Sequence, residues 1–181
     1  NNEDNVTYVR WLNDGDCPEK HLQDIEVFIN LAGESINSGR WSEERKNRIL
    51  TSRLTATKEI TRIITELQHK PKLLINASAI GFYGTSTNET FTENSITQGK
   101  DFLSTTVSAW EKEAKKVESA DVRLIYARFG IILDKKGGAL PKLLLPYKLF
   151  AGGNLGTGNQ WMSWIHIDDV VHAIGHCIYT E

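Results

Sequence analysis

Ser78, in the run Asn76-Ala77-Ser78-Ala79, and Tyr83, in Gly81-Phe82-Tyr83-Gly84, are the hydroxyls whose setting suggests chemistry. A hydroxyl at the end of a buried strand can hydrogen-bond a substrate carbonyl or alcohol, and a phenol can carry a proton. A phenol with an ordinary pKa of about 10 needs a positive neighbour to act as a base near neutrality, and the sequence names none. Packing or ligand contact is therefore the simpler role for Tyr83. A second group is Trp161, Ser163, Trp164 and His166. Exposed indoles can stack on a sugar or another ring while Ser163 and His166 supply polar contacts. The competing role for the tryptophans is a hydrophobic anchor. Glu34, Arg40 and Trp41 follow the small residues Ala32 and Gly33 and can line the same pocket. Asp168, His172 and His176 fall at i, i+4 and i+8. Two histidines at that spacing can share a metal, but no glutamate follows the first in the metalloprotease manner. A solvated helix face is the simpler reading, and no metal is expected.

These residues must be positioned by the elements around them. Val27–Gly33, Lys72–Ala79 and Val122–Arg128 are apolar runs that read as strands buried on both faces. Ser42 is a helix N-cap candidate. Ile49, Ala56, Ile60, Ile63, Ile64 and Leu67 follow it at helical spacing as far as Gln68, before Pro71. A second helix is expected over Asp101–Glu118, with Phe102, Val107, Trp110 and Ala114 inward. A short helix is expected near Leu140–Phe150, and a closing helix from Asp168-Asp169. The Gly81–Lys100 loop is longer than a structural turn needs. Strand, helix and strand in alternation predict a parallel sheet with right-handed crossovers, half of a doubly wound, Rossmann-type α/β fold. Residues 1–134 are read as the remainder of a dinucleotide-binding domain. Residues 135–181 are read as the start of a substrate-side region with a helix returning to the sheet.

In such folds ligands bind at the carboxyl ends of the strands. Gly33, Ser78, Arg128 and Gly130 should therefore meet at one crevice. The Gly-x-Gly-x-x-Gly phosphate fingerprint follows none of the strands. Val6–Val9 is a short strand candidate. If it is the third strand of the order 3-2-1-4-5-6 and Val27–Leu31 the fourth, two strands are missing between them. About 60 upstream residues, including the first βαβ unit, would then complete the sheet. The chain opens on Asn1 without a methionine, in keeping with that expectation.

A net charge of -2, with 24% charged residues, gives no basic surface for nucleic acid or an anionic membrane. The expected partner is a small-molecule substrate. Cys17 and Cys177 have no CxxC spacing, which fits a reducing cytoplasm. No apolar run approaches the roughly 20 residues of a membrane helix.

The succession Asn30-Leu31-Ala32-Gly33-Glu34, Ser52-Arg53, Asn76-Ala77-Ser78, Tyr83-Gly84, Arg128-Phe129-Gly130 and Trp161-Met162-Ser163-Trp164-Ile165-His166 resembles the extended short-chain dehydrogenase/reductases. More closely it is similar to their atypical nucleoside-diphosphate-sugar epimerase-like branch, the NAD-dependent epimerase/dehydratase family. The resemblance runs from about Val6 onward. It implies bound NADP or NAD, NADP being slightly preferred, and a C-terminal substrate-side segment beyond Glu181; a homodimer is left as an open alternative. On that resemblance Leu31, Ala32, Gly33, Arg53, Ala77, Arg128, Gly130 and Ile132 contact the cofactor. Glu34, Trp41, Trp161, Ser163, Trp164 and His166 then face the substrate. By itself Arg53 reads as a solvated helix residue. Relatives of the usual kind carry a tyrosine and, four residues later, a lysine on the helix after Ser78. Leu103 and Val107 stand near those positions here, and neither can transfer a proton. Two expectations stay open. One is an NAD(P)-linked oxidoreductase or epimerase-like enzyme in which Ser78 polarises the reacting oxygen. The other is a cofactor-binding sensor or scaffold without turnover.

Overall fold

The computed structural model describes residues 5–37, 39–96, 99–154 and 156–180; the opening residues Asn1–Asp4 and the closing Glu181 lie outside them. The core is a three-stranded parallel sheet of β1 (Val27–Asn30), β2 (Leu73–Ala79) and β3 (Arg123–Phe129), in that order. The register pairs Asn30 with Asn76 and Ser78 with Arg128. β2 is central and almost wholly buried, which is why its sequence is a continuous apolar run rather than an alternating one.

Helix α1 (Glu43–Glu66) links β1 to β2, and α2 (Phe102–Ala114) links β2 to β3. The Ser42 hydroxyl accepts from the Arg45 N–H at 3.3 Å, as an N-cap should. Asp101 caps α2 by accepting from the N–H groups of Leu103 and Ser104 at 2.8 and 3.1 Å. Ile49, Ala56, Ile60, Ile63 and Ile64 form the buried stripe of α1. The core closes on Ile60, Ile64, Leu74, Val117 and Val122. Right-handed crossovers between neighbouring strands put both helices on one face of the sheet, and there they pack together.

A second small sheet begins two residues after β3. β4 (Ile131–Asp134) pairs antiparallel with β5 (Gly137–Gly138) and parallel with β6 (Trp164–His166). Helix α3 (Leu140–Lys148) lies between them in sequence, and α4 (Ile167–Tyr179) follows β6. Arg123 Nη1 donates to the Thr180 carbonyl at 2.7 Å, tying the end of α4 back to the first sheet.

The strand expected at Val6–Val9 does not form. Val6 and Tyr8 are exposed, Tyr8 at 93%, and no strand among the described residues offers that segment a ladder. Val9 instead joins Trp11, Pro18, Leu22, Phe28, Ile29, Ile60 and Ile63 around an apolar cavity of about 200 Å³ beside β1. The expected helix over 101–118 is also divided: it becomes 3-10 after Ala114 and stops at the left-handed Asp121. No helix among the described residues is long and apolar enough to cross a membrane.

Candidate functional site

Because the strands run parallel, the ends of β1, β2 and β3 open on one edge. Gly33, Ser78 and Gly130 all stand there. A buried polar network holds the first two strand ends beneath this edge. Asn30 Nδ2 donates to Asn76 Oδ1 at 2.7 Å and to Thr57 Oγ1 at 3.0 Å. The Trp110 indole N–H donates to the same Thr57 oxygen at 2.8 Å. Asn30 Oδ1 then accepts from the Ala32 N–H at 3.1 Å, setting the exit of β1. Leu31 is left 61% exposed at the rim, while Ala77 is buried.

Above this network the Glu34 carboxylate accepts from Arg45 Nη1 at 3.0 Å, and its N–H donates to Ser52 Oγ at 3.0 Å. Arg53 Nη1 donates to the Glu34 and Ile49 carbonyls at 3.1 and 3.0 Å. Its guanidinium lies over the Trp110 ring, 5.2 Å from the centroid. Gly33 lies close against it: a Cβ there would meet the Arg53 Cγ at 3.1 Å and its guanidinium carbon at 3.2 Å, so the Arg53 side chain would have to yield by a few tenths of an ångström. Arg53 is thus half-buried and packed, not the solvated residue its sequence suggested. Burial lowers its pKa, partly offset by the Glu34 charge. Trp41 reaches over the same region, edge-on to Phe102 at the start of α2.

The second cluster centres on Glu111, which the sequence reading missed. Ser78 Oγ donates to Glu111 Oε1 at 2.5 Å. Arg128 donates to both Glu111 oxygens, each at 2.8 Å. Arg128 Nη1 also donates to the Tyr83 hydroxyl at 2.9 Å, and its guanidinium lies 3.7 Å above the Phe82 ring. Tyr83 stacks on Phe91 from the long loop. The Glu111 hydrogen bonds hold the Arg128 pKa above its usual value despite partial burial. Burial and the Glu111 charge push the Tyr126 phenol up to about 12. A signal for Glu111 existed: Val107, Glu111 and Ala114 recur at helical spacing, so this carboxylate falls on the inward stripe of α2.

At the third strand end a Cβ on Gly130 would come within 2.5 Å of the Ser163 carbonyl, which also accepts from the Ile131 N–H at 2.8 Å. This close approach brings the Trp161–His166 segment beside the crevice. Trp161 is 94% exposed, and Ser163 and Trp164 are also open to solvent. Ile132 pairs with Ile165 one step along. His166 Nδ1 accepts from the Asp168 N–H at 3.3 Å and so caps α4. Leu103 packs beside Gly81, and Val107 is buried. The larger cavities, about 550 and 490 Å³, lie along the outer side of α1 and the Thr7–His21 segment, away from this edge. The polar networks, not cavity size, mark the strand ends as the candidate site.

No family model matches the chain. It is 53% identical over 174 residues to the epimerase family protein YfhF of Bacillus subtilis, covering 96% of this chain and 57% of that protein. It is 44% identical over 176 residues to the epimerase family protein SSP1921 of Staphylococcus saprophyticus, covering 97% and 58%. The chain thus spans somewhat more than half the length of these curated relatives. Among solved structures, human epimerase family protein SDR39U1 with NADPH matches with a TM-score of 0.81 at 30% identity, over 94% of this chain and 60% of that one. A nucleoside-diphosphate sugar epimerase from Corynebacterium glutamicum matches at 0.75 and 32%, over 93% and 35%. The Bacillus cereus UDP-glucuronic acid 4-epimerase with UDP-glucuronic acid and NAD, at 0.74 and 17% over 90% and 52%, shares the fold. By these identities the chain is similar to curated epimerase family proteins, and its parallel Rossmann-type sheet is similar to those of the solved nucleoside-diphosphate-sugar epimerase-like structures.

Proposed function

We propose that the protein is an NAD(P)-binding, epimerase- or oxidoreductase-like enzyme acting on a small polar or nucleotide-sugar-like substrate at the ends of β1, β2 and β3. The observation that carries this reading is the meeting of Gly33, Ser78 and Gly130 on one sheet edge. A side chain is excluded at Gly130 by the Ser163 backbone, and Gly33 packs closely on the Arg53 side chain. The solved relative with NADPH and the neighbours with NAD support the cofactor assignment. Leu31, Ala32, Gly33, Ala77, Gly130 and Ile132 would line its path. Trp41, Trp161, Ser163, Trp164 and His166 would form the substrate side, with Glu34 holding the loop beside it. Bound there, the nicotinamide supplies a hydride donor or acceptor.

The two hydroxyls differ in what they can still do. Ser78 gives its one proton to Glu111 and is buried, so its part is to position Glu111. Tyr83 accepts from Arg128 through its oxygen, and its O–H donates to none of the described residues. It is the group suited to give a proton to, or take one from, a substrate oxygen. A second reading, a cofactor-binding protein without turnover, is favoured by Leu103 and Val107 standing near the usual acid–base positions. The test is an NADPH fluorescence titration of the full-length protein, followed by a panel of carbonyl substrates. Saturable binding with oxidation of the cofactor, or with inversion of a nucleotide sugar at no net oxidation, supports the enzyme, and binding with neither favours the second reading. Failure to bind either nicotinamide cofactor removes both.

A further inference from the structure

Two phenols stand beside the Glu111–Arg128 pair, and they are used in opposite ways. Tyr126, on β3, donates its hydroxyl proton to the Glu111 carbonyl at 3.0 Å. Burial and the Glu111 charge hold that proton in place, with the phenol at about 12. Tyr83, half-buried after β2, is on the receiving side: its oxygen accepts from Arg128 Nη1 at 2.9 Å. A phenol that moves protons near neutrality needs a positive neighbour, and the sequence names none. The fold brings one to it across 45 positions.

Arg128 is held as such a neighbour must be. The Glu111 carboxylate takes its Nε and Nη2, each at 2.8 Å, and Ser78 fixes the same carboxylate from β2 at 2.5 Å. The Phe82 ring covers the guanidinium at 3.7 Å. These contacts remove the rotamer freedom that a loose arginine keeps and leave Nη1 as the projecting nitrogen. Nη1 reaches the Tyr83 oxygen and, at 3.4 Å, the Glu93 carbonyl. Every guanidinium nitrogen thus donates within the chain. The Tyr83 oxygen is fixed from the Arg128 side, and its O–H, which donates to none of the described residues, is left for a ligand at the strand ends.

We propose that Arg128, clamped by Glu111, is the positioning residue of Tyr83, fixing the phenol oxygen and facing the charge that forms there as its proton leaves. This inference rests on the function proposed above. In the step, the Tyr83 O–H bond breaks as an O–H bond forms on a substrate oxygen. The electron pair of the broken bond stays on the Tyr83 oxygen, opposite Nη1, until the reverse transfer restores the phenol. Arg128 acts through Tyr83 and touches neither substrate nor cofactor.

Full-length wild-type protein, Arg128→Gln and Arg128→Lys are treated at mildly alkaline pH with tetranitromethane, which nitrates tyrosine through its phenolate. Each tyrosine is followed by peptide mass spectrometry, and NADPH titrations of the same proteins run alongside. Tyr8 and Tyr179, 93% and 90% exposed, serve as internal standards. An opposite charge within hydrogen-bond reach favours an ion by about tenfold or more, so Arg128→Gln should slow Tyr83 nitration about 10-fold against those standards. Arg128→Lys, which keeps the charge without the fork, should recover part of the rate, a rescue that a merely structural arginine would not give. A Tyr83 left unlabelled in the wild type, or nitrated no more slowly in Arg128→Gln, overturns the inference and leaves the proposed function standing. So does an Arg128→Lys rate no higher than that of Arg128→Gln. Loss of NADPH affinity by about 10-fold in Arg128→Lys reassigns the arginine to the cofactor and overturns the inference too. A wild-type protein that binds no nicotinamide cofactor overturns both. Should Arg128→Gln fail to fold, the double variant Arg128→Met, Glu111→Met takes its place, because apolar replacement of a buried pair is often tolerated. Slowed nitration of Tyr83 there supports the inference, and a wild-type rate overturns it.

Discussion

Replacing Glu111 by Gln tests whether the cluster behind the strand ends holds them in place. The carboxylate accepts from Ser78 at 2.5 Å and from Arg128 twice at 2.8 Å. An amide can keep the Ser78 and Nε bonds on its oxygen, but its NH2 then faces the Arg128 Nη2 donor. Breaking a buried ion pair from one side costs about 3–5 kcal/mol. The Arg128 side chain is 18% exposed and the Glu111 side chain 7%, so water relieves part of that loss. About 2–4 kcal/mol is the expected destabilisation. For a chain of this size that corresponds to a Tm lower by about 5–15 °C. Urea unfolding followed by far-UV circular dichroism should show the midpoint falling with an unchanged slope. A companion cycle with Arg128→Gln should return a coupling above about 1 kcal/mol. If Glu111→Gln lies within about 0.5 kcal/mol of wild type, a change typical of an unremarkable surface site, the cluster does not brace the site.

Thr57→Val removes the shared acceptor of Asn30 Nδ2 and the Trp110 indole N–H. Stranding two buried donors should cost about 2–4 kcal/mol in chemical denaturation. Gly130→Ala drives a methyl to within 2.5 Å of the Ser163 carbonyl, so it should shift the β6 backbone resonances and lower Tm, whereas Gly153→Ala, with open space around it, should not. Tyr126, with its phenol at about 12 in the fold against 10.0 ordinarily, holds its proton more tightly when folded. Its contribution to stability is therefore full below about pH 10 and is lost as pH rises through about 12. Tyr126→Phe should flatten the stability–pH curve over that window, and an unchanged slope would count against the assignment.

How far the site could be read beforehand depended on the range of each interaction. The Ser42 cap, the Ile49–Ile64 stripe and the apolar run of β2 are properties of contiguous residues, so α1 and the central strand were legible. The boundary of α2 was not, because its last turn tightens to 3-10 only where Val117 packs into the core. Val6–Val9 had strand composition but no partner strand among the described residues, and a strand exists only in its ladder.

The sequence by itself determined the alternation of strands and helices, and hence that Gly33, Ser78 and Gly130 share an edge, because parallel crossovers leave every strand end on the same side. Tertiary structure decided what the side chains at that edge do. Ser78 meets Glu111 across 33 positions and Arg128 meets it across 17; Arg53 finds Trp110 only because α1 and α2 lie on the same face. Periodicity reports which way a residue points, but the partner it meets there is set by packing between elements far apart in the chain. Whether a serine offers its proton to a ligand or to a buried carboxylate is therefore written in the fold.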